Sequence, residues 1–354
     1  MPSRPDPKAI ESALLGGEAV YTREQAVELS GADPELAGRV WRALGFPTLG
    51  DDSVTFTESD VEALRIANSL LEEGILDEEG VVRFARAMGQ TMARLADWQT
   101  SILSTLIFKD GHEDPTTSSL MQQVKGLLPD VERLLLHIWR RQLAASTGRT
   151  LAVMSNGNDI VPNYYPLIVG FADLVSFTTL SRELDEVELA GVVEGFESTA
   201  ADLVAAGGGR VVKTLGDEVL YVADSPHQAA DIALRLASGV KTHVEVPDVR
   251  VGVAYGPVLT MHGDVFGTTV NRASRLTSFA RPGTVLIDET LAESLTDEEG
   301  LQVVQVRARH AHGLGLIQPY TLRRDFDAGN PCHTDDPLDP AGVHRRSDPG
   351  PGRP

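Results

Sequence analysis

Phe171-Ala-Asp173-Leu-Val-Ser-Phe-Thr178, entered from the apolar run Leu167-Ile-Val-Gly-Phe171, carries a strand out into an acidic residue and then into a helical pattern. A turn of that kind presents free backbone N–H groups to an anion. Further along, Val211-Val-Lys213 and Val219-Leu-Tyr-Val222 are β-branched or aromatic runs joined by Leu215-Gly-Asp-Glu218. That spacing predicts a β-hairpin with Gly216 in its turn and Asp217 at an exposed tip. Asp173 and Asp217 therefore both stand at strand ends, a placement suited to paired metal ions holding a nucleoside triphosphate.

A third cluster follows at Gly263-Asp264-Val-Phe-Gly267-Thr-Thr-Val-Asn271-Arg-Ala-Ser-Arg275. Asn271 and Arg275 share one helical face, and an amide beside a guanidinium suits ribose and phosphate contact. Each piece alone has an ordinary explanation: Asp after a strand caps helices, Gly-Asp makes turns, and Lys213, Asp264, Asn271 and Arg275 read singly as solvated surface. Their joint occurrence in this order is what points to chemistry.

The three motifs, FADLVSFT, KTLGDE and GDVFGTTVNRASR, resemble the catalytic domain of class III nucleotidyl cyclases over residues 163–323. The resemblance implies an α+β domain with a ferredoxin-like βαββαβ core. It also implies a head-to-tail homodimer whose composite active sites lie between subunits, Asp173 and Asp217 of one chain facing Lys213, Asp264, Asn271 and Arg275 of the other. In that scheme Asp173 and Asp217 hold two Mg²⁺ or Mn²⁺, which bridge the triphosphate and activate the ribose 3′-hydroxyl. Lys213 and Asp264 select the purine: the ammonium donates to a ring nitrogen and the carboxylate accepts from the exocyclic amine of adenine. Guanine would set a carbonyl against Asp264, and an unpaired buried polar group costs about 1–3 kcal/mol. ATP is therefore expected over GTP. Asn271 orients the ribose, Arg275 neutralises charge on the α-phosphate and the leaving pyrophosphate, and the product is 3′,5′-cyclic AMP.

One competing resemblance and one departure bear on the match. Gly216-Asp217-Glu218 also resembles the hairpin signature of diguanylate cyclases, but Leu215 and Val219 replace its glycine and phenylalanine, and the Asn271/Arg275 helix has no counterpart there. Near the end, His312 takes the place of a lysine that in many class III cyclases reaches the terminal phosphates. Imidazole gains charge near a pKa of about 6.5, so phosphate affinity is expected to strengthen on mild acidification. The alternative leaves His312 solvent-exposed and gives the phosphate contact to Arg307 or Arg309.

Around the motifs, Leu184, Val187, Val192, Phe196 and Leu203 predict a helix closed by Gly207-Gly-Gly209, and Ser225-Pro226 opens another through residue 240. Residues 249–255 and 284–287 read as strands. The expected organisation is a helical regulatory or dimerisation domain at 1–145, a linker at 146–162, the catalytic domain at 163–326 and a Pro-, Gly- and Asp-rich disordered tail at 327–354.

Residues 21–143 read as helical, with Thr57-Glu-Ser-Asp60 as a capping box, further runs at 81–107 and 131–143, and breaks at Gly74, 111–115 and Pro129. The stretch from Tyr21 to Val61 resembles a MerR-type winged helix-turn-helix, yet its acids outnumber its bases, a poor partner for phosphates. The regulatory domain of actinobacterial class III cyclases, some of which respond to pH or lipids, is the better match. Phe84, Met88, Met92, Leu95, Trp98, Ile102, Leu106 and Phe108 are expected to form ordinary core, with a lipid pocket as the sharper reading. A lipid or a proton is the regulatory input this implies.

The formal net charge is −20 over 354 residues, which opposes nucleic-acid or anionic-membrane partners. No apolar run approaches the ~20 residues of a membrane span, and the N-terminus lacks the apolar core of a secretion signal, so a cytoplasmic location is expected. Cys332 is the single cysteine, so no intrachain disulfide forms. Two function classes follow: an adenylate cyclase under N-terminal control, or a catalytically silent nucleotide sensor on the same fold, with guanylate or diguanylate cyclase as the other enzymatic reading.

Overall fold

The computed structural model describes residues 6–48, 50, 52–109, 117–155, 164–239, 248–261 and 263–325. It divides into two compact units, Met1–Ala152 and Val153–Pro354. Cys332 and the expected tail lie outside the described residues.

The first unit is built from α1 (Pro7–Leu15), α2 (Arg23–Ser30), α3 (Pro34–Ala43), α4 (Glu58–Glu72), α5 (Glu78–Lys109) and α6 (Thr117–Ser155). Thr57 and Asp60 form the expected capping box at the start of α4, each side chain satisfying the other's backbone N–H. Leu36 and Val40 of α3 pack on Val81, Val82 and Ala85 of α5. Ala26, Phe56 and Val61 make a second small cluster with Trp41 against it.

Two expectations need correction here. Helix α6 runs through Pro129 and on to Ser155, so no break is present at 129, and the expected 146–162 linker starts within this helix. Pro129 is on an exposed stretch, where water can bond the carbonyl that the missing N–H leaves free. Phe84, Met88, Met92, Trp98 and Ile102 are exposed rather than core, Trp98 by 69%, because only the first turns of α5 pack on α3. Leu95 is half-buried, and the side chains of Leu106 and Phe108 lie outside the described residues.

The second unit opens with β1 (Tyr164–Leu174), then α7 (Phe177–Glu183), α8 (Glu186–Ala206), β2 (Arg210–Thr214), β3 (Glu218–Ala223), α9 (Pro226–Gly239) and β4 (Val249–Met261). These strands lie in the order β2-β3-β1-β4, a ferredoxin-like βαββαβ arrangement. The chain continues through β5 (Asp264–Phe266), α10 (Thr268–Phe279), β6 (Val285–Ile287), α11 (Glu289–Leu295), β7 (Leu301–Gln305), β8 (Arg309–Ala311), β9 (Gly315–Ile317) and β10 (Tyr320–Arg324). β6, β10 and β7 extend the sheet beyond β4, β5 folds back on the end of β4, and β8–β9 is a separate hairpin.

Alternate residues of β1 feed opposite faces, as a central strand requires. Ile168, Ala172 and Leu174 join α8 and α9 on one side, while Leu167, Val169 and Phe171 join α10 on the other. The helix expected across Leu184 is two helices. Leu184 is extended, and Asp185 caps α8 anew in a capping box with Glu188, which turns Val187 outward. α10 lies unusually close to β4, since a Cβ on Gly252 would stand 2.1 Å from the Thr277 nitrogen. Glycine is thus required there by contact rather than by backbone angle.

Candidate active site

Asp173 lies near the end of β1, directly opposite Glu218 on β3 and Arg250 on β4. Arg250 Nε donates to Asp173 Oδ2 at 2.6 Å, and Arg250 Nη2 pairs with the same oxygen. The hairpin between β2 and β3 brings Asp217 alongside: the Leu174 N–H donates to the Asp217 carbonyl at 2.9 Å, and Gly216 takes the left-handed conformation the turn needs (φ 73°). Ser176, which caps α7, is also left-handed (φ 63°), so the chain turns sharply just past Asp173.

Crowding of carboxylates sets the electrostatics. Burial raises the Asp173 carboxyl, opposed by the Arg250 hydrogen bond and charge and reinforced by Asp217. Glu218 is pushed up to about 7, mainly by burial and then by Asp173 and Asp217. Among the described residues no group of three or more His, Cys, Asp or Glu side chains forms a metal-holding cluster. Asp173 and Asp217 nevertheless fit a divalent cation: they are hard oxygen donors whose mutual repulsion a cation relieves, and Mg²⁺ usually takes only one or two carboxylates beside substrate phosphates.

Lys213 of β2 and Asp264 of β5 meet as an ion pair, Nζ to Oδ2 2.5 Å. The Val265 N–H donates to the other Asp264 oxygen at 2.8 Å and fixes the carboxylate. Asn271 and Arg275 stand exposed on α10, while Thr269, Ala273, Leu276 and Thr277 turn inward. The expected residues are therefore assembled as three local pairs: Asp173 with Asp217, Lys213 with Asp264, Asn271 with Arg275. No hydrogen bond or ion pair joins one pair to another among the described residues. His312 is exposed in the turn between β8 and β9, Arg307 is exposed, and Arg309 stacks over the Phe279 ring at 5.4 Å.

Sequence reasoning passed over Arg250, gave Glu218 no role, and missed the ion pair of Arg272 with buried Asp288. Arg250 did carry a signal, as the one charge inside Val249-Arg-Val-Gly-Val, a strand otherwise fit for burial. Beside Asp264 the sheet also exposes a row of large apolar side chains, Tyr164, Leu259, Met261 and Phe266, with Leu259 paired across to both Tyr164 and Phe266.

Comparison with known proteins covers both units. Residues 161–324 match the adenylate and guanylate cyclase catalytic domain, and residues 9–146 match an adenylate cyclase regulatory domain. An adenylate cyclase of Streptomyces coelicolor is 44% identical over 92% of this chain and 92% of its own length. One from Streptomyces griseus is 45% identical over 82% of this chain and 72% of its own. A pH-sensitive adenylate cyclase of Mycobacterium tuberculosis is 30% identical over 88% of this chain and 80% of its own.

Proposed function

We infer the chemistry from one premise: this chain belongs to the class III adenylate cyclases, and it converts ATP to 3′,5′-cyclic AMP and pyrophosphate. The observation that carries the reading is the joint at the end of β1, where the Leu174–Asp217 backbone bond holds two carboxylates together beside Arg250. Two bound Mg²⁺ or Mn²⁺ would supply Lewis-acid stabilisation of the triphosphate and lower the pKa of the ribose 3′-hydroxyl. Asp173 and Asp217 hold those ions in place. Lys213 and Asp264 read the adenine edge, Asn271 orients the ribose, and Arg275 faces the α-phosphate as negative charge shifts to the leaving pyrophosphate.

In this reading Asp173 and Asp217 of one chain face Arg275 of a second chain in head-to-tail pairing. The exposed apolar row Tyr164, Leu259, Met261 and Phe266 supports that reading, because it gives the β4–β5 arm a surface to bury against a second copy. Residues 1–145 form the regulatory domain, 163–326 the catalytic domain. The regulatory input is a proton or a lipid, the former favoured by the pH-sensitive M. tuberculosis relative. His312 is a candidate for terminal-phosphate contact, and His312→Asn should flatten the pH dependence of the apparent KM for ATP if it serves there. ATP as substrate argues for action in the cytoplasm; among the described residues no helix is long and apolar enough to cross a membrane.

Purified protein with ATP and Mn²⁺, assayed for cyclic AMP and pyrophosphate with GTP in parallel, separates the enzyme from a silent sensor. Composite sites have their own test. Mixing Asp173→Ala chains with Arg275→Ala chains, each strongly impaired alone, should restore one site per mixed dimer, and a mixture no more active than its components counts against sites shared between chains.

A further inference from the structure

Asp288 is 2% exposed at the end of β6, and its carboxylate joins three elements. Its Oδ1 accepts from the Tyr255 N–H of β4 and from the Leu291 N–H of α11, each at 3.1 Å, and its Oδ2 accepts from Arg272 Nη1 of α10 at 3.0 Å. Capping α11 requires only the Leu291 bond. A surface carboxylate would do that without the desolvation cost of burying a charge, and a buried ion pair is a poor source of stability compared with apolar packing. The extra bonds make sense as geometry.

Arg272 sits next to Asn271 and one helical turn before Arg275. The hydroxyl ties from α10 to the sheet lie at its ends, Thr269 Oγ1 donating to the Pro257 carbonyl of β4 at 2.8 Å and Thr277 Oγ1 to the Phe171 carbonyl of β1 at 3.4 Å. With Gly252 these set how close the helix lies to β4. The mid-helix arm that reaches sideways to another element is Arg272.

We propose that Arg272 and Asp288 are a positioning pair that fixes the rotation of α10 about its axis, so that Asn271 and Arg275 meet the ribose and phosphates of ATP. This rests on the roles proposed above for Asn271 and Arg275. Neither Arg272 nor Asp288 touches substrate in this scheme; both act through the helix. A displacement of about 1 Å at a reacting group can cost on the order of 10²-fold in rate.

The test is steady-state kinetics of the full-length enzyme with Arg272→Met and Asp288→Asn, each alone and each combined with Arg275→Ala. Alone, each should lower kcat by about 10- to 100-fold while the KM for ATP stays within about threefold, since the base-reading pair lies on other strands. Arg272→Lys, which keeps the charge but loses the planar fork, should restore part of kcat. In the Arg275→Ala background the same changes should cost less than about threefold more, because the group they position is gone. Full multiplicative losses in that background, or unchanged kcat in the single variants, overturns the proposal. Arg272→Lys carries the same comparison should either single variant fail to fold. Wild-type kcat in Arg275→Ala alone would instead overturn the site reading itself.

Discussion

The catalytic unit and the helical unit solve the burial problem differently. In the catalytic unit one sheet separates two apolar layers, with Tyr221, Phe196, Leu276 and Ile287 fully enclosed. In the helical unit the buried clusters stop at Ala85, and beyond them α5 and α6 present Trp98, Leu134, Ile138 and Trp139 to solvent. One unit is closed by its own residues. The other leaves apolar rows on two long helices, which is costly unless something covers them. The difference teaches that the catalytic sheet encloses its core within its own unit, whereas the regulatory unit keeps apolar rows that its own described helices leave uncovered.

The sharpest way to break this contrast is at the site. Asp173→Ala should lower kcat by on the order of 10³-fold or more, since on the proposed roles it removes a carboxylate that would hold a catalytic cation. Cyclic AMP output within tenfold of wild type would show that Asp173 is not needed. Next comes packing: Phe196→Ala should destabilise the catalytic unit by about 3–5 kcal/mol, whereas Trp98→Ala should change the folding stability by no more than about 0.5 kcal/mol. Denaturant melts of both variants test it, and equal losses would mean that Trp98 is covered in solution.

Removing residues 1–160 should change kcat by at least about fivefold, the low end of ordinary coupling energies, and unchanged kinetics would reject a regulatory role. The smallest effect concerns pH. Glu218 has its folded-state pKa raised from 4.5 to about 7, so the folded protein binds that proton more tightly than the unfolded chain. Its contribution to stability is therefore greatest below pH 4.5 and declines as the pH rises towards 7. Melts across that window should show the decline, and Glu218→Gln should flatten it; a wild-type profile that rises with pH would contradict the sign.

Local features were legible in the sequence where local rules decide them. The Thr57 capping box, the hairpin around Gly216 and the strand into Asp173 follow from short-range spacing, and all three are present. What escaped depends on neighbours distant in the chain. Arg250 looks out of place in its strand until β1 places Asp173 opposite it, and Asp288 becomes a joint only when α10 delivers Arg272. The exposure of Trp98 misled for a similar reason: helical spacing identifies an apolar face but not whether any element arrives to cover it. Pro129 shows the converse, a breaker tolerated because its helix is wet.

The Lys213–Asp264 bond has a consequence for discrimination between nucleotides. On the proposed roles, the two groups that read the base already satisfy each other when no base is there, so any purine must displace an internal competitor before being recognised. Adenine can compensate both halves of the broken bond. A guanine carbonyl can answer only the ammonium and leaves the carboxylate stranded. The pocket thus rejects the wrong nucleotide by offering it an exchange on losing terms, without needing a wall to keep it out.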